Sequence, residues 1–222
     1  SHNNCAFWCN PCYLIVMPIA INGSGTVTGI SVGGLPDGIV DADMLAANAV
    51  TAGKLASGVG GKNLQVLQTV KTDVYNADVN QGAYGVDVPG LTVSITPSNA
   101  SNKILVSIAV SVSFQDSTPN RMAATLFKDG SVISGAIGDT SGNINRVTFS
   151  QEVSTNYTTS TISGEYLDTA GSTNAITYSV RLSHGYNGTK SVFVNRASSS
   201  IESNSNYHHR SISTITVKEV AA

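Results

Sequence analysis

The sequence predicts an all-β protein: a jelly-roll-like antiparallel β-sandwich preceded by a short N-terminal segment. Apolar and polar residues alternate with a period of two through most of the chain after Leu64. The alternating runs are short, and loops rich in Gly, Ser and Asn separate them, with no convincing long helix. About nine or ten strands of this kind are typical of a sandwich, and among sandwiches we favour a jelly roll of roughly eight core strands.

The clearest strand is predicted between residues 104 and 114. Its even-numbered residues are all apolar and most of the residues between them are small or polar, so one face of the strand is predicted to be buried. Further apolar runs of the same period are Leu91/Val93/Ile95, Val147/Phe149/Val153, Ile176/Tyr178/Val180/Leu182, Val192/Val194 and Ile215/Val217. Each of these runs predicts a strand with one buried face.

A tight hairpin is predicted at Lys128-Asp129-Gly130-Ser131. This tetrapeptide separates two apolar runs, Met122–Phe127 and Val132–Ile137. Asp-Gly supplies the positive φ angles that a two-residue hairpin turn requires.

Residues 1–16 differ in character from the rest of the chain and are expected to be an upstream extension, because Met17-Pro18-Ile19 resembles an initiator. The apolar stretch from residue 12 to 21 is shorter than the roughly 20 residues that span a bilayer, and no basic segment precedes it. Neither membrane insertion nor an export signal is therefore predicted.

All three cysteines, Cys5, Cys9 and Cys12, lie within this extension. The spacing of Cys9 and Cys12 is that of a zinc half-site or a redox pair. A structural zinc site needs about four ligands, and no second Cys or His pair is near, although His2 and Cys5 could complete a set. We expect no metal and no cofactor.

Residues 17–62 are predicted to form an attachment and shaft segment. Residues 37–58 contain two units of eleven residues, in which Ile39 corresponds to Val50 and Met44 to Leu55. Each unit has too few apolar side chains to form its own core, so it is expected to pack against other copies of itself. The residues predicted to make this packing are Ile39, Met44, Leu45, Val50 and Leu55.

The composition excludes one class of partner and favours self-association. Charged residues form 12% of the chain, the net charge is −2, and no run of Lys or Arg occurs. Nucleic-acid binding requires clustered cations to replace phosphate counterions, so neither DNA nor RNA is expected as a partner. A weakly charged chain with 41% hydrophobic residues fits a subunit that hides part of its surface in an oligomer.

Three segments of the chain, taken in order, resemble bacteriophage fibre proteins, especially those of cyanophages. Residues 17–38 are similar to the N-terminal opening of these proteins, and residues 48–56 to their short shaft repeat. Residues 213–220 are similar to the closing strand of many phage knob domains. The match covers both ends of the chain after residue 16, and the Lys128-Asp129-Gly130 hairpin is consistent with it.

The resemblance implies a homotrimeric structural virion fibre protein, assembled in the host cytoplasm and exposed on the outside of the phage particle. Residues 17–62 would attach to other virion proteins of the tail or capsid, and residues 63–222 would form a knob. Similar knobs resemble trimeric jelly rolls of the TNF and C1q kind. The knob's partner would be a host surface polysaccharide or protein. The alternative is a capsid decoration or adaptor protein without receptor binding.

Receptor contact is expected from loops, because loop residues vary without damage to a sheet. Tyr and Arg combine a flat apolar face with polar donors, which makes them good contact residues. His208 and His209 could instead bind a metal on a trimer axis, but adjacent side chains of an extended segment point to opposite sides. The candidate receptor-contact residues are Tyr186, Asn187, Tyr207, His208, His209 and Arg210.

No catalytic activity is expected. The chain contains no nucleophile elbow, HExxH motif, P-loop or dinucleotide-binding glycine pattern. Glu152, Glu165 and Asp168 are the carboxylates clustered in sequence that a glycan-cleaving enzyme could use as acid and base. The strand pattern instead predicts a solvated sheet face for Glu152 and Glu165, and a hydrogen-bonded position at a strand end for His184.

Overall fold

The computed structural model describes residues 45, 49, 50, 54, 62–82, 84–116, 118–198 and 209–222. The chain divides into two units, Ser1–Ala56 and Ser57–Ala222. Only four residues of the first unit are described, and all the strands below belong to the second unit. The prediction that residues 63–222 form the knob stays a prediction.

Strands account for nearly all the regular structure of the described residues, and every strand pair is antiparallel. One 3-10 turn, Ser134–Ala136, lies between the sixth and seventh strands. The strands are β1 (Asn63–Lys71), β2 (Tyr75–Asn80), β3 (Val86–Ile95), β4 (Lys103–Phe114), β5 (Asn120–Lys128), β6 (Ser131–Val132), β7 (Phe149–Val153), β8 (Ser160–Thr169), β9 (Ile176–His184), β10 (Thr189–Val194) and β11 (Ser213–Val220).

The strands form two sheets with jelly-roll order. In the first sheet, β10 and β11 both pair with one edge of β4, and β8 pairs with its other edge. Outside them, β1 pairs with β11 and β2 pairs with β10. In the second, the order is β3, β9, β5, with β6 and β7 both along the outer edge of β5. When β1/β2, β6/β7 and β10/β11 are each counted as one strand, the two sheets contain eight strands in all. The chain crosses between the sheets repeatedly, which confirms the predicted fold class.

The predicted apolar faces line the core between the two sheets. The alternating residues of β4, from Ile104 to Phe114, are buried, and so are their counterparts on β3, β9, β10 and β11. The period of two therefore identified the inward face of these strands correctly, because side chains of a strand alternate between a sheet's two faces.

The Asp129-Gly130 hairpin is confirmed. Asp129 has a φ of 49° and Gly130 a φ of 77°, and Lys128 pairs directly with Ser131. The second apolar run is shorter than predicted, since β6 ends at Val132 and the chain turns, with Ala136 N–H donating to Ile133 O at 2.9 Å. Val147 likewise precedes β7 instead of belonging to it.

The two ends of the sandwich differ. At one end, which we call the base, the chain enters at Asn63 beside Val220, Lys103 and Thr169. The other end, which we call the tip, carries the loops β2–β3, β4–β5, β7–β8 and β9–β10. The strand register shows which loops lie at each end, because β1, β4, β8 and β11 lie side by side along most of their lengths.

A buried carboxylate organises the base. Glu219 of β11 is fully buried, and its oxygens accept hydrogen bonds from Asn102 Nδ2 (2.6 Å), Gln65 Nε2 (2.5 Å) and both the backbone N–H and the hydroxyl of Ser98 (2.7 Å each). Burial acts to raise the pKa of Glu219, but these donors outweigh it and lower the pKa to about 2. The hydrogen bonds to this carboxylate thus connect the β3–β4 loop with β1 and β11.

A second polar contact connects the two sheets. Asp168 of β8 accepts hydrogen bonds from Lys128 Nζ of β5 and from the Tyr178 hydroxyl of β9, each at 2.8 Å. Lys128 Nζ also donates to the carbonyl oxygens of Thr169 (2.8 Å) and Ala170 (3.1 Å). Burial, followed by the hydrogen bond to Asp168, raises the pKa of Tyr178.

Replacing Asp168 with Ala is expected to destabilise the sandwich by about 3 kcal/mol, because it leaves the Lys128 charge and the Tyr178 hydroxyl without their shared acceptor. Tyr178→Phe removes only one neutral donor and should cost about 1 kcal/mol. Urea unfolding of both variants measures the difference. Asp87→Ala, which breaks the exposed pair with Arg181, is the control and should cost less than about 1 kcal/mol. Equal losses at Asp168 and Asp87 would contradict this account.

Candidate functional site

The β9–β10 loop places two of the predicted contact residues at the tip. Tyr186 and Asn187 follow His184, the last residue of β9, and both are exposed. Gln81 Nε2 of the β2–β3 loop donates to Gly185 O at 3.3 Å, so the two loops touch. The structure therefore places Tyr186 and Asn187 in a surface made by neighbouring loops.

Tyr186 is held by its neighbours although it is 39% exposed. Its ring centroid lies 6.2 Å from that of Phe114, and Lys190 Nζ lies 4.8 Å from the ring centroid. Lys190 is fixed in turn by an ion pair with Asp116 at 2.8 Å, and this pairing raises the pKa of Lys190. A restrained aromatic ring loses little conformational entropy when it binds a partner.

His184 anchors the same loop from inside. Its Nε2 lies 2.7 Å from Val79 O, and Tyr186 N–H donates to its Nδ1 at 3.2 Å. These two contacts assign a neutral ring with the proton on Nε2. The prediction of a hydrogen-bonded histidine at a strand end is confirmed.

Two of the remaining candidate contacts, His209 and Arg210, are described by the structure. His209 and Arg210 are exposed and precede β11, whose Thr214 pairs with Ala109 in the middle of β4. Tyr207 and His208 lie outside the described residues.

A cavity of about 350 Å³ opens beside the tip, on the outer face of the second sheet. The β6–β7 loop covers one side of it, and β5, β7 and β9 form its floor. The residues that line it are Gly82, Arg121, Ala123, Ile144, Asn145, Val147, Ser150, Ser183, His184 and Gly185. The sequence does not predict this cavity, because strand alternation marks Arg121 only as an outward polar residue and gives no sign of where the loop folds.

The three candidate carboxylates do not converge. Glu165 faces outward on β8, where it accepts a hydrogen bond from Ser107, whereas Asp168 faces the opposite sheet. Glu152 is exposed on β7, which belongs to the second sheet. The predicted solvated positions of Glu152 and Glu165 are confirmed, and these three groups share no cleft that could serve as an acid–base pair.

Within the described ranges, no group of three or more His, Cys, Asp or Glu side chains is placed to hold a metal ion. The cysteines and His208 lie outside those ranges. Of the predicted shaft residues, Leu45 and Val50 are exposed in the single chain, and Ile39, Met44 and Leu55 are not described. In the part of the chain that the structure covers, no helix has the length and hydropathy to cross a bilayer.

Comparison with known proteins gives limited similarity. No protein-family model matches the chain, and no curated protein matches it. Among solved structures, the chain is similar to part of the structure of infectious bursal disease virus Gx strain, with 14% identity and a TM-score of 0.32 over 71% of this chain and 42% of that one. It is also similar to infectious bursal disease virus VP2 in a subviral particle, with 16% identity and a TM-score of 0.22 over 71% of this chain and 41% of that one. The chain thus spans less than half the length of these chains, and similarity of this degree carries no functional inference.

Proposed function

We propose that the chain is a structural virion fibre protein of a tailed bacteriophage that attaches to the host cell surface through the tip of a trimeric sandwich. The observation that carries the proposal is that the entry of the chain and the exposed loop with Tyr186 lie at opposite ends of the domain. The chain enters at the base, where Ala221 N–H donates to Lys62 O at 2.8 Å, and Tyr186 and Asn187 lie at the opposite end. A domain tethered at one end presents the other to its surroundings.

The N-terminal segment supports the same proposal. Residues 17–38 resemble the opening of phage fibre proteins and residues 48–56 resemble their shaft repeat, and both stretches precede the base in the chain. We propose that this segment attaches to tail or capsid proteins and places the sandwich outside the particle. The partner at the tip would be a host surface polysaccharide or protein.

The outer face of the first sheet supports self-association. Strand register aligns Val66, Lys218, Leu105 and Leu167 in one row across β1, β11, β4 and β8. Val66 is 55% exposed and Leu167 is 52% exposed, at the two edges of the sheet. Apolar side chains at both edges of a weakly charged face favour burial against another copy.

A trimer can use this face in a head-to-tail manner. A heterologous interface brings two different surfaces of identical chains together and closes into a ring when the rotation permits. We propose that the β1 edge with Val66 and Val70 contacts the β8 edge with Leu167 of the next copy. Each copy would then cover apolar side chains that it leaves exposed alone.

The full-length chain is expected to sediment as a trimer at micromolar concentration, and Leu167→Glu is expected to shift it towards monomer by burying a charge at the interface. Analytical ultracentrifugation measures both states. Ile144→Glu is the matched control, because Ile144 is 71% exposed on the outer face of the other sheet. A wild-type monomer, or a trimer that tolerates Leu167→Glu, would refute this interface.

Attachment is tested separately with labelled full-length protein and host cells. We expect the protein to bind cells and to compete with phage adsorption, and we expect Tyr186→Ala to weaken both, since Tyr186 is a preorganised contact residue. An antibody against the sandwich, seen by electron microscopy, would locate the chain on the particle. Label on the capsid without any competition would favour a decoration or adaptor protein instead.

A further inference from the structure

The cavity at the outer face of the second sheet has the dimensions of a small-ligand site. Its volume of about 350 Å³ lies at the lower end of the range of roughly 300 to 1,000 Å³ for such sites. It is also next to the tip, because Gly185 of the β9–β10 loop is part of its wall. A ligand of about one sugar ring is the size that this space accommodates.

The lining combines an apolar surface with separate polar groups. Ala123 lies on the floor, and Val147 and Ile144 of the β6–β7 loop lie beside it. The lining also includes Asn145 and Ser150, whose side chains carry an amide and a hydroxyl. A pyranose ring has the complementary pattern, with C–H groups on its faces and hydroxyls around its edge, and binding sites orient ligands with a few such polar groups.

The charge of the cavity indicates an acidic ligand. Arg121 is an exposed residue of the lining, and within the described residues no ion pair or side-chain hydrogen bond satisfies its guanidinium. Glu152 lies directly opposite Arg121 in the β5–β7 register, yet the two form no ion pair there. A guanidinium binds a carboxylate through two parallel hydrogen bonds, which makes a carboxylate its preferred ligand.

We propose that this cavity binds one carboxylated sugar, a hexuronate unit of a host surface polysaccharide, with its carboxylate on Arg121 and one ring face on Ala123 and Val147. The proposal rests on the proposed function, since it assigns the chemistry of the receptor. It places recognition on the side of the tip, adjacent to the loop of Tyr186.

The experiment titrates glucuronate and galacturonate, and the neutral sugars glucose and galactose, into the full-length protein by isothermal calorimetry and saturation-transfer NMR. We expect at least one hexuronate to bind, and each neutral sugar to bind at least about tenfold more weakly, because a charge-assisted contact is lost. Arg121→Gln should weaken hexuronate binding by about tenfold or more. Glu152→Gln should strengthen it, since it removes a competing negative charge.

Two further variants separate the cavity from general charge. Ala123→Leu should abolish binding by filling the floor, and Lys103→Gln, which removes one positive charge at the base, should leave binding unchanged. Circular dichroism checks that each variant is folded. If Ala123→Leu does not fold, Arg121→Gln and Glu152→Gln decide the question by their opposite effects.

Equal affinity for neutral and acidic sugars, or hexuronate binding that survives Arg121→Gln, overturns the inference. The inference is also overturned if none of the four sugars binds at a concentration of about 10 mM, which corresponds to a very weak affinity. If Arg121→Gln protein still binds host cells and competes with phage, the proposed attachment function stands and the cavity assignment fails. If hexuronate binds in the cavity but no host cell is recognised, the attachment function fails instead.

Discussion

Glu219→Gln is expected to lower the free energy of unfolding by about 3 kcal/mol or more. The carboxylate accepts four hydrogen bonds at the base of the sandwich, from Gln65, Asn102 and Ser98. An amide of the same shape has only one oxygen, and its NH₂ group would face donors instead of acceptors. Buried donors without acceptors, next to a lost charge-assisted contact, produce losses of this size.

The same residue predicts a pH dependence. Because the pKa of Glu219 falls from 4.5 to about 2 on folding, its contribution to stability is present above pH 4.5 and is lost as the pH falls towards 2. The difference between these pKa values corresponds to about 3 kcal/mol. Urea unfolding measured from pH 7 to pH 2 should therefore show the wild type and Glu219→Gln converging in acid.

Glu165→Gln is the control for both measurements, since Glu165 is exposed on β8 and accepts one hydrogen bond from Ser107. Its substitution should change stability by less than about 1 kcal/mol at pH 7. A pH profile of Glu219→Gln that runs parallel to the wild type would show that Glu219 is not the group responsible.

Gly85→Ala is also expected to lower the free energy of unfolding by about 3 kcal/mol or more, in this case for steric reasons. Gly85 has a φ of +45°, and a Cβ atom on it would lie 1.8 Å from Leu182 O and 2.7 Å from the Leu182 carbonyl carbon. These are backbone atoms of β9 in the core, so no rotation of a side chain can relieve the clash. Both backbone strain and overpacking therefore contribute.

Gly130→Ala separates the two contributions. Gly130 has a φ of +77° in the β5–β6 hairpin, but a Cβ there would have no atom within 4 Å. It should cost about 1 kcal/mol, the strain of a left-handed conformation alone. Denaturation of both variants tests this, and equal losses would mean that the close approach to Leu182 is relaxed in solution.

The local pattern predicted the strands more accurately than their ends. The alternation in β4 and β9 indicated the buried faces, because burial on one side of a strand imposes a period of two on the sequence. Ile133 and Ala136 are also buried, but in a turn, and this is why the run from Val132 to Ile137 resembles a strand in the sequence. Apolar character marks burial in both cases and does not distinguish the backbone conformations.

The sequence predicted the loop position of Tyr186 and Asn187, which lie in an exposed connection after an alternating run. Their role as receptor contacts stays a prediction. The contacts of Asp168 with Lys128 and Tyr178, and the cavity around Arg121, were not found. The contacts and the cavity both bring together residues from strands that are far apart in the sequence. The sequence pattern of a strand is also the same whether its polar residue faces water or another polar group.

The amino-acid pattern was enough to predict the all-β class, the inward faces of the main strands, the Asp129-Gly130 hairpin and the absence of clustered cations, since each is a property of neighbouring residues. Four other features became known only from the folded chain: the order of the strands, the buried position of Glu219, the separation of the three carboxylates and the shape of the cavity. These features depend on which strands pair and in what register. A one-residue shift in that register would turn every side chain of a strand to the other face of its sheet.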